Sequence, residues 1–322
     1  MDNHIDRRQR RNESSARGRS RMSAALLDKL NTQVGFIGLG LMGSRLTRRL
    51  HTAGWNVRGW NLTPQSAAEI RKEGIAIVPS IALLAADSNV ILSSLANDAA
   101  VRSVYLDKGG VFSSAKPGTV ILEMSTISPE LSRLLHEKAR ATGLNLLDVA
   151  ISGSTPAVDA GTITLLAGGD KETFERSVPI FEAIARQRFL IGPGSSGVQM
   201  KLVVNLLLGL DMQALAEAVS LGEHLQIDRK VLLDVLSKTA VIAPAMAGKF
   251  RKIKEGDYSP EFPLRLMSKD MDLVMDAAKI SGADLPAASA AQRVLTSSLA
   301  SSGDLDLSAI TPFVVEGRLT TK

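Results

Sequence analysis

The residues with the clearest capacity for chemistry are a lysine and an asparagine four positions apart, Lys201 and Asn205. Residues at this spacing share one face of a helix. Val198, Met200 and Leu202 are apolar neighbours, and burial among such groups favours the neutral amine over the ammonium. The sequence therefore predicts a partly buried ammonium that loses its proton more readily than a free lysine. A solvated surface lysine, the common case for a helix, is the alternative.

A glycine-rich turn is the second candidate. The apolar run Val34–Ile37 leads into it and an amphipathic stretch leaves it, so the turn connects a strand to a helix. The backbone N–H groups of such a turn face the pyrophosphate of a dinucleotide, although a tight turn without a ligand is the alternative. The residues predicted to bind a dinucleotide here are Gly38, Leu39, Gly40, Leu41, Met42 and Gly43.

The choice of dinucleotide depends on the end of the second predicted strand. Asn61 stands where an NAD enzyme usually has an acidic residue for the ribose 2′-hydroxyl. An amide does not repel a 2′-phosphate, so Asn61 and Thr63 favour NADP, with NAD as the alternative cofactor. Arg58 is a candidate source of positive charge. Asn61 is also a good residue to cap the helix that begins at Pro64.

The composition excludes several kinds of site. The chain has 322 residues and no cysteine, so it has no disulfide, thiolate zinc site or iron–sulfur cluster, and a cytoplasmic location is expected. Its four histidines stand singly, and no metal site is predicted. Because no run reaches about 18 uninterrupted apolar residues, no membrane span is predicted.

The N-terminal tail differs in charge from the rest of the chain. Residues 1–21 contain seven arginines and three acidic residues, which accounts for +4 of the net charge of +5. The remainder is close to neutral, which argues against nucleic-acid binding by the folded part. The tail lacks the features of a secretory signal or a transit peptide. We predict a disordered basic extension over residues 1–31, with RNA or DNA contact as the alternative.

From Gln33 to about Ile191, short β-rich runs alternate with helical stretches, which is typical of a parallel sheet with crossover helices. The predicted strands are Val34–Ile37, Asn56–Trp60, Val90–Ser94, Val120–Glu123, Leu146–Ile151 and Thr162–Ala167. The predicted helices are Met42–Ala53, Pro64–Lys72, Ala99–Tyr105, Pro129–Thr142 and Lys171–Ala185. The fold class is therefore α/β, with a Rossmann-type, doubly wound parallel sheet over residues 32–193.

Turn residues cluster at 192–197, and every long segment after them has helical spacing. The first, from Val198 to about Ile227, would be about 45 Å long and could bridge two lobes or two subunits. Further helices are predicted at Arg229–Ser237, Ser268–Ser281 and Ala287–Ser301. Residues 194–322 are therefore predicted to form an all-α substrate and dimerisation domain with a long interdomain helix, in a homodimer or homotetramer.

Five motifs follow one another in order along the chain. They are Gly35–Gly43, Glu123–Pro129, Ser152-Gly153-Ser154, Gly197-x-x-x-Lys201-x-x-x-Asn205 and Lys269-Asp270. With this order and spacing, from about Val34 to about Ile310, the chain resembles the β-hydroxyacid dehydrogenases. That family includes 3-hydroxyisobutyrate dehydrogenase and the glyoxylate/succinic semialdehyde reductases, and residues 200–205, 243–246 and 262–264 look closest to the reductase branch.

The resemblance implies hydride transfer between NADP(H) and a small aldehyde acid or 3-hydroxyacid. It implies that Lys201 is the general acid or base and that Asn205 holds the substrate oxygen or orients Lys201. The residues implied to bind the substrate carboxylate are Ser125, Ser152, Gly153 and Ser154. The residues implied to contact the cofactor outside the glycine turn are Asn61, Thr63, Leu95, Thr126 and Lys269.

Departures from the family pattern leave other functions open. Leu62 stands where NADP reductases of the family commonly have an arginine, and Thr155-Pro156-Ala157 differs from the usual sequence after the serine-glycine turn. Imine reduction is one alternative, because imine reductases share the architecture and the Trp60-Asn61 pair, although they usually lack the lysine. A catalytically idle NADP-binding scaffold is the other.

Overall fold

The computed structural model describes residues 26–317, which form two lobes connected by one long helix. Most of the predicted basic extension, residues 1–25, lies outside the described residues. At residues 26–31, the Leu27 backbone N–H donates to the Arg176 carbonyl (3.2 Å) and the Leu27 side chain packs on the core of the first lobe. Asp28 accepts hydrogen bonds from the N–H groups of Leu30 and Asn31. This short segment is therefore held against the first lobe.

The first lobe is an eight-stranded sheet. Its strands are β1 (Gln33–Ile37), β2 (Asn56–Trp60), β3 (Ala76–Ile77), β4 (Val90–Ser93), β5 (Val120–Glu123), β6 (Asn145–Ser152), β7 (Ile163–Gly169) and β8 (Ala185–Gly192). They lie in the order β3-β2-β1-β4-β5-β6-β7-β8. The order reverses between β1 and β4, and in such sheets ligands bind beyond the carboxyl ends of the strands at this point. The predicted Rossmann-type, doubly wound sheet is therefore confirmed.

One end of the sheet differs from the predicted parallel arrangement. Strands β1 to β6 are parallel, whereas β7 is antiparallel to β6 and β8 is parallel to β7. The connection between β6 and β7 is residues 153–162, which is shorter than the dozen or so residues that a parallel crossover needs. The chain therefore reverses direction at β7.

Helices cover both faces of the sheet. Those of the first lobe are α1 (Leu41–Thr52), α2 (Pro64–Lys72), α3 (Ile81–Asp87), α4 (Asp98–Leu106), α5 (Val111–Ser114), α6 (Pro129–Ala141), α7 (Thr155–Asp159), α8 (Lys171–Arg176) and α9 (Val178–Ile184). Alternate residues of the central strands enter two separate apolar cores, so that Phe36 lies in one and Ile37 in the other. This explains why these strands are apolar on both faces.

The predicted single helix Lys171–Ala185 is wrong. The chain forms α8 and α9 there, with Ser177 between them, and then the edge strand β8. After Ala185, strand β8 continues with the polar residues Arg186-Gln187-Arg188, and these partly exposed side chains hide the apolar signal that predicted the other strands. The two-residue strand β3 was also too short for a pattern to reveal.

The second lobe is helical, with its own apolar core. Its helices are α10 (Ser196–His224), α11 (Arg229–Leu236), α12 (Ala247–Glu255), α13 (Leu264–Ser281), α14 (Pro286–Ser302) and α15 (Ile310–Val315), with 3₁₀ turns at Pro244–Met246 and Leu307–Ala309. Helix α10 is long and apolar enough to cross a membrane by length and composition, and 44% of its most apolar window is buried within the chain. A buried helix between two lobes has the same composition.

The first turn of α10 is fixed to the sheet by one carboxylate. Asp148 on β6 accepts the Ser195 N–H at Oδ1 and the Val198 N–H at Oδ2, both at 2.8 Å. Gly197 allows this close approach, because a Cβ there would lie 2.4 Å from the Leu166 carbonyl oxygen. His136 also contacts Asp148, with Nε2 2.8 Å from Oδ1. The beginning of α10, and with it Lys201, is therefore held in a defined position relative to β6.

Candidate active site

A cavity of about 800 Å³ lies between the two lobes, beyond the carboxyl ends of the central strands. The predicted site residues in its wall are Leu41, Met42, Leu95, Ser125, Thr126, Ser152, Gly153, Ser154, Lys201, Asn205 and Lys269. The cavity thus brings together predicted residues from both lobes. Gly38, Leu39, Gly40, Gly43, Asn61 and Thr63 lie outside this wall, in the turn between β1 and α1 and in the loop after β2.

The three glycines of the turn have different surroundings. Gly38 has a φ of +92°, and a Cβ there would lie 2.3 Å from the Ser94 carbonyl oxygen. A Cβ on Gly43 would lie 1.8 Å from the Gly38 carbonyl oxygen. A Cβ on Gly40, in contrast, would meet no atom within 4 Å. Gly38 and Gly43 are therefore required by the turn itself, whereas Gly40 leaves open space in which a ligand can approach the backbone.

The residues around Gly40 fit the pyrophosphate of a dinucleotide. Gly40 is the N-cap of α1, no side chain caps this helix end, and the first turn of α1 has no acidic residue. An uncapped helix N-terminus offers N–H donors and a positive dipole end to an anion. The open space at Gly40 is where a pyrophosphate would approach these donors.

The side chain of Asn61 is used within the protein. Its Oδ1 accepts the Leu39 N–H (2.8 Å), and its Nδ2 donates to the carbonyl oxygen and Oγ1 of Thr63 (3.0 and 2.9 Å). Helix α2 has Thr63 as its N-cap, so the interpretation of Asn61 as a helix cap is wrong. Asn61 instead connects the glycine turn to the loop after β2, next to Leu62, which is 83% exposed.

Arg58 does not supply a free positive charge to this loop. Its Nη1 lies 3.0 Å from Asp87 Oδ2, in an ion pair between β2 and α3. The interpretation of Arg58 as a source of positive charge for a 2′-phosphate is therefore not supported by its geometry.

Lys201 lies in the cavity wall with an unshared ammonium. Within residues 26–317, its Nζ makes no hydrogen bond and no ion pair closer than 4 Å. Burial lowers the pKa of Lys201 to about 8, and the positive charge of Lys269 acts in the same direction while Asp270 opposes it. Lys201 can therefore exchange a proton near neutral pH.

Asn205 and Asp270 form a buried pair behind Lys201. Asn205 Nδ2 donates to Asp270 Oδ2 at 2.6 Å, and Asn205 Oδ1 has no hydrogen-bond partner in the described part of the chain. Burial raises the pKa of Asp270, against the lowering effect of Lys269 and Lys201. Asp270 was missed as a site residue. The Lys269-Asp270 motif contained it, but the motif alone did not show that its side chain would turn towards α10.

Lys269 connects the lobes. Its Nζ donates to the Thr126 carbonyl oxygen at 2.5 Å. The same Nζ forms an ion pair with Asp270, 2.7 Å from its Oδ1. Lys269 thus reaches across the cleft to Thr126, a residue implied by the family resemblance to contact the cofactor.

Ser125 lies at the carboxyl end of β5, where two strands contribute to the cavity wall. Its Oγ accepts the Leu95 N–H (2.8 Å), and its backbone N–H donates to Glu123 Oε1 (3.0 Å). Glu123 is 1% exposed, and burial raises its pKa to about 8. Sequence reasoning missed Glu123, although an acidic residue at the end of the apolar run Val120-Ile121-Leu122 was the available signal.

The turn after β6 presents two further hydroxyl groups. Gly153 has a φ of +142°, and a Cβ there would lie 2.8 Å from Ile163 Cγ2, so this position requires glycine. Ser152 and Ser154 flank it in the cavity wall. Their hydroxyl groups make no hydrogen bond to any residue that the structure describes. They are therefore available to a ligand with acceptor atoms.

The cleft thus has a proton donor on one side and hydroxyl donors on the other. Lys201 and the buried Asn205–Asp270 pair belong to the helical lobe, while Ser125, Ser152 and Ser154 belong to the first lobe, at or just after the ends of its strands. This arrangement can bind a carboxylate and give a proton to a nearby oxygen.

Comparisons with known proteins agree with the arrangement of the two lobes. A family model for the NAD binding domain of 6-phosphogluconate dehydrogenase matches residues 33–192. A second model, for the NAD-binding part of NADP-dependent 3-hydroxyisobutyrate dehydrogenase, matches residues 195–314. The two models together extend from β1 to α15.

Individual relatives cover nearly the same range. Glyoxylate/succinic semialdehyde reductase 1 of Arabidopsis thaliana is 32% identical over 279 residues, which is 86% of this chain and 96% of that protein. The NAD-dependent L-serine dehydrogenase of Pseudomonas aeruginosa is 34% identical over 266 residues, 80% of this chain and 89% of that protein. The crystal structure of 3-hydroxyisobutyrate dehydrogenase from Salmonella typhimurium has a TM-score of 0.81 and 31% identity, and the match covers 88% of this chain and all of that one.

Proposed function

The chain belongs to the β-hydroxyacid dehydrogenase family, a family of NAD(P)-dependent oxidoreductases, and we propose that it interconverts a small aldehyde acid and its hydroxyacid. The observation that carries this proposal is the unshared ammonium of Lys201, which faces the hydroxyl groups of Ser125, Ser152 and Ser154 across one cleft. Glyoxylate, succinic semialdehyde and 3-hydroxyisobutyrate are the types of substrate that the relatives' names give.

A bound nicotinamide dinucleotide supplies or accepts the hydride in such a reaction. When an aldehyde is reduced, negative charge develops on its oxygen, and Lys201 as an ammonium donates a proton to that oxygen. In the reverse direction the neutral amine of Lys201 removes the hydroxyl proton. Because Asn205 Nδ2 is held by Asp270, the amide presents Oδ1, which accepts a hydrogen bond from the Lys201 ammonium or from the substrate hydroxyl.

The substrate carboxylate is assigned to the sheet side of the cleft. The hydroxyl groups of Ser152 and Ser154 and the backbone of Gly153 form one edge, and the hydroxyl of Ser125 forms the other. Bonds from such donors to an ionised carboxylate are stronger than neutral hydrogen bonds, so this site does not need an arginine. The charge of Lys201 adds attraction for the same anion.

NADP(H) is the proposed preferred cofactor, with NAD(H) as the alternative. Asn61 replaces the carboxylate that would repel a 2′-phosphate, and its side chain holds the loop after β2 against the glycine turn. The exposed Leu62 and the ion-paired Arg58 give that phosphate no free positive charge. We therefore propose a modest preference for NADP(H).

The test is a substrate panel assayed with NADPH and NADH side by side. The panel contains glyoxylate, succinic semialdehyde, an aldehyde of similar size without a carboxylate, and a cyclic imine, with 3-hydroxyisobutyrate assayed in the oxidising direction. We expect at least one carboxylate-bearing substrate to exceed the uncharged aldehyde in kcat/KM by about a hundredfold, the value of two charge-assisted hydrogen bonds. Turnover of the imine alone, or tight NADPH binding without any turnover, would contradict the proposal.

We also propose that the protein is a homodimer or homotetramer that packs through α10. An apolar stripe with steps of three and four residues runs along the outside of this helix and continues to its C-cap, and its members are Met200, Val203, Leu207, Leu210, Ala214, Ala218, Leu221 and Leu225. This periodicity is typical of a helix that packs on another helix, so we assign the stripe to a second copy of the chain.

Light scattering of the wild type should give at least twice the monomer mass. The double variant Val203→Glu/Leu221→Glu should shift it to monomer, and a wild-type monomer at micromolar concentration would refute the proposal.

A further inference from the structure

A buried carboxyl group lies directly behind the Ser125 hydroxyl. Glu123 ends β5, and its Oε1 accepts the Ser125 backbone N–H at 3.0 Å and the Ser93 hydroxyl at 3.3 Å. Its second oxygen, Oε2, is buried and has no hydrogen-bond partner among residues 26–317. A buried carboxylate with an unpaired oxygen is unfavourable, so these surroundings favour the neutral acid.

The Ser125 hydroxyl has two competing acceptors for its single hydrogen. Its oxygen already accepts the Leu95 N–H at 2.8 Å, which fixes the side chain at the cavity wall. Its hydrogen can then go to the substrate carboxylate in the cleft or to Glu123, with which the Ser125 side chain also interacts. A neutral Glu123 is a weak competitor, whereas an ionised Glu123 attracts the hydrogen and repels the substrate anion.

We propose that Glu123 is a positioning residue for substrate binding: as a neutral acid it leaves the Ser125 hydroxyl to the substrate carboxylate, and on ionisation it withdraws that donor. The inference rests on the proposed function, because it assumes that the substrate carboxylate binds at Ser125. Glu123 itself does not line the cavity, so it acts through Ser125.

The groups around Glu123 keep its ionisation near the physiological range. Burial raises its pKa to about 8, the hydrogen bonds from Ser125 and Ser93 oppose this rise, and the charge of Asp148 adds to it. The titratable groups that face Glu123 are Tyr105 on α4 and Asp148 on β6. Tyr105 bonds to Ser93 with 2.6 Å between the hydroxyl oxygens, and burial, followed by the charge of Glu123, raises its pKa well above the usual value. Asp148 in turn contacts His136.

The first experiment measures KM for the best aldehyde acid of the panel between pH 7 and pH 9 in wild type and Glu123→Gln. The glutamine keeps the shape and cannot ionise. Lys201 titrates in the same range in both proteins, so the ratio of wild-type KM to variant KM isolates Glu123. This ratio should rise about tenfold from pH 7 to pH 9, as expected for one group that must stay protonated with a pKa of about 8.

Two controls sharpen this experiment. Glu137→Gln changes an exposed glutamate of α6, and its KM should follow the wild type at every pH. Ser125→Ala lacks the competing donor, so its KM should be high already at pH 7, and the ratio of its KM to that of Ser125→Ala/Glu123→Gln should change little from pH 7 to pH 9. A constant ratio of wild-type to Glu123→Gln KM, or a ratio in the Ser125→Ala background that rises as steeply as the wild-type ratio, would overturn the inference.

A second measurement needs no substrate and therefore separates this inference from the proposed function. The folded-state pKa of Glu123 lies above its unfolded value, so folding binds a proton and stability is lost as the pH rises towards about 8. Relative to Glu123→Gln, the unfolding constant of the wild type should increase about tenfold per pH unit from pH 6 to pH 8. If the unfolding free energies of wild type and Glu123→Gln changed in parallel with pH, Glu123 would be ionised throughout and the inference would be wrong. If their difference changed with pH but the KM ratio did not, Glu123 would be a neutral acid that does not act on substrate binding through Ser125.

Discussion

The glycine turn (residues 38–43) and the cluster of Lys201, Asn205 and Asp270 (the Lys201 cluster) border the same cleft. Their polar side chains differ in how far their hydrogen-bonding capacity is used within the protein. In the turn, both ends of the Asn61 amide are occupied, by Leu39 and by Thr63. In the cluster, the Lys201 ammonium and Asn205 Oδ1 have no hydrogen-bond partner in the described part of the chain. The Asn61 side chain is therefore fully used within the protein, and the turn leaves only backbone N–H donors at the start of α1 for a ligand, whereas the cluster has unpaired side-chain groups.

This difference separates two kinds of contribution. A turn whose side-chain hydrogen bonds are all made within the protein offers a rigid backbone surface, and substitutions there should alter folding or cofactor binding. Buried polar groups with unused capacity and shifted pKa values are typical of reacting sites, and substitutions there should alter turnover. The predictions below test this division, beginning with the largest effect.

Lys201→Met should abolish most turnover without affecting cofactor binding. Methionine keeps the length and apolar part of the side chain and removes the proton donor, so kcat should fall by about 10²- to 10⁴-fold. The NADPH dissociation constant, measured by fluorescence titration, should stay within about twofold because Lys201 lies outside the turn. Lys230→Met on the exposed face of α11 serves as the control and should behave as wild type. Full turnover in Lys201→Met would show that Lys201 is not the proton donor.

The pH profile should have opposite signs in the two directions of reaction. The pKa of Lys201 is about 8. Reduction requires the ammonium, so its kcat should fall about tenfold per pH unit above pH 8, while oxidation requires the amine and should rise to a plateau there. Stopped-flow measurement of the first turnover keeps product release from masking this trend. If both directions shared one pH profile, a group other than Lys201 would transfer the proton.

The same contrast explains what the sequence could predict. The turn is local: most of a strand, the three glycines of the turn and the first residues of a helix lie within the eleven residues from Val34 to Ser44, so this stretch indicated a dinucleotide-binding turn. The pairing of Lys201 with Asn205 was also local, because both lie on one helix face. The alternation of β-rich runs and helical stretches gave the fold class, and these two features, together with the order of the motifs, gave the family.

The remaining features depend on contacts between residues far apart in the chain. Asp270 meets Asn205 across 65 positions, and Asp148 meets Ser195 across 47. No spacing rule relates such pairs, since they depend on how α10 lies on β6 and on α13. Glu123 shows the limit most clearly. Its carboxyl ends an ordinary buried strand, and only the packing of Ser93 and Tyr105 around it shows that it has no access to water.

Two alanine substitutions in the turn should distinguish a glycine that makes room for the cofactor from a glycine that the fold of the turn requires. Gly40→Ala places its Cβ in open space and has φ −75°, so its thermal stability should match wild type while the KM for NADPH rises about tenfold through contact with the pyrophosphate. Gly43→Ala places its Cβ 1.8 Å from the Gly38 carbonyl oxygen and should lose about 3 kcal/mol of unfolding free energy in a urea titration. If Gly40→Ala left the KM for NADPH unchanged, the dinucleotide would not approach the turn at this point.

The smallest expected effect concerns Leu62, in the loop after β2, where a positive charge for the 2′-phosphate of NADP(H) is missing. Leu62 is 83% exposed next to Asn61, so Leu62→Arg should not change the thermal midpoint. An exposed arginine near the 2′-phosphate should lower the KM for NADPH about fivefold, the value of roughly 1 kcal/mol, and should leave the KM for NADH unchanged. Leu62→Gln, a polar side chain without charge, separates the effect of the charge from that of polarity. An equal change for both cofactors would mean that the loop after β2 faces away from the 2′-phosphate, and Asn61 would then contribute only to the shape of the turn.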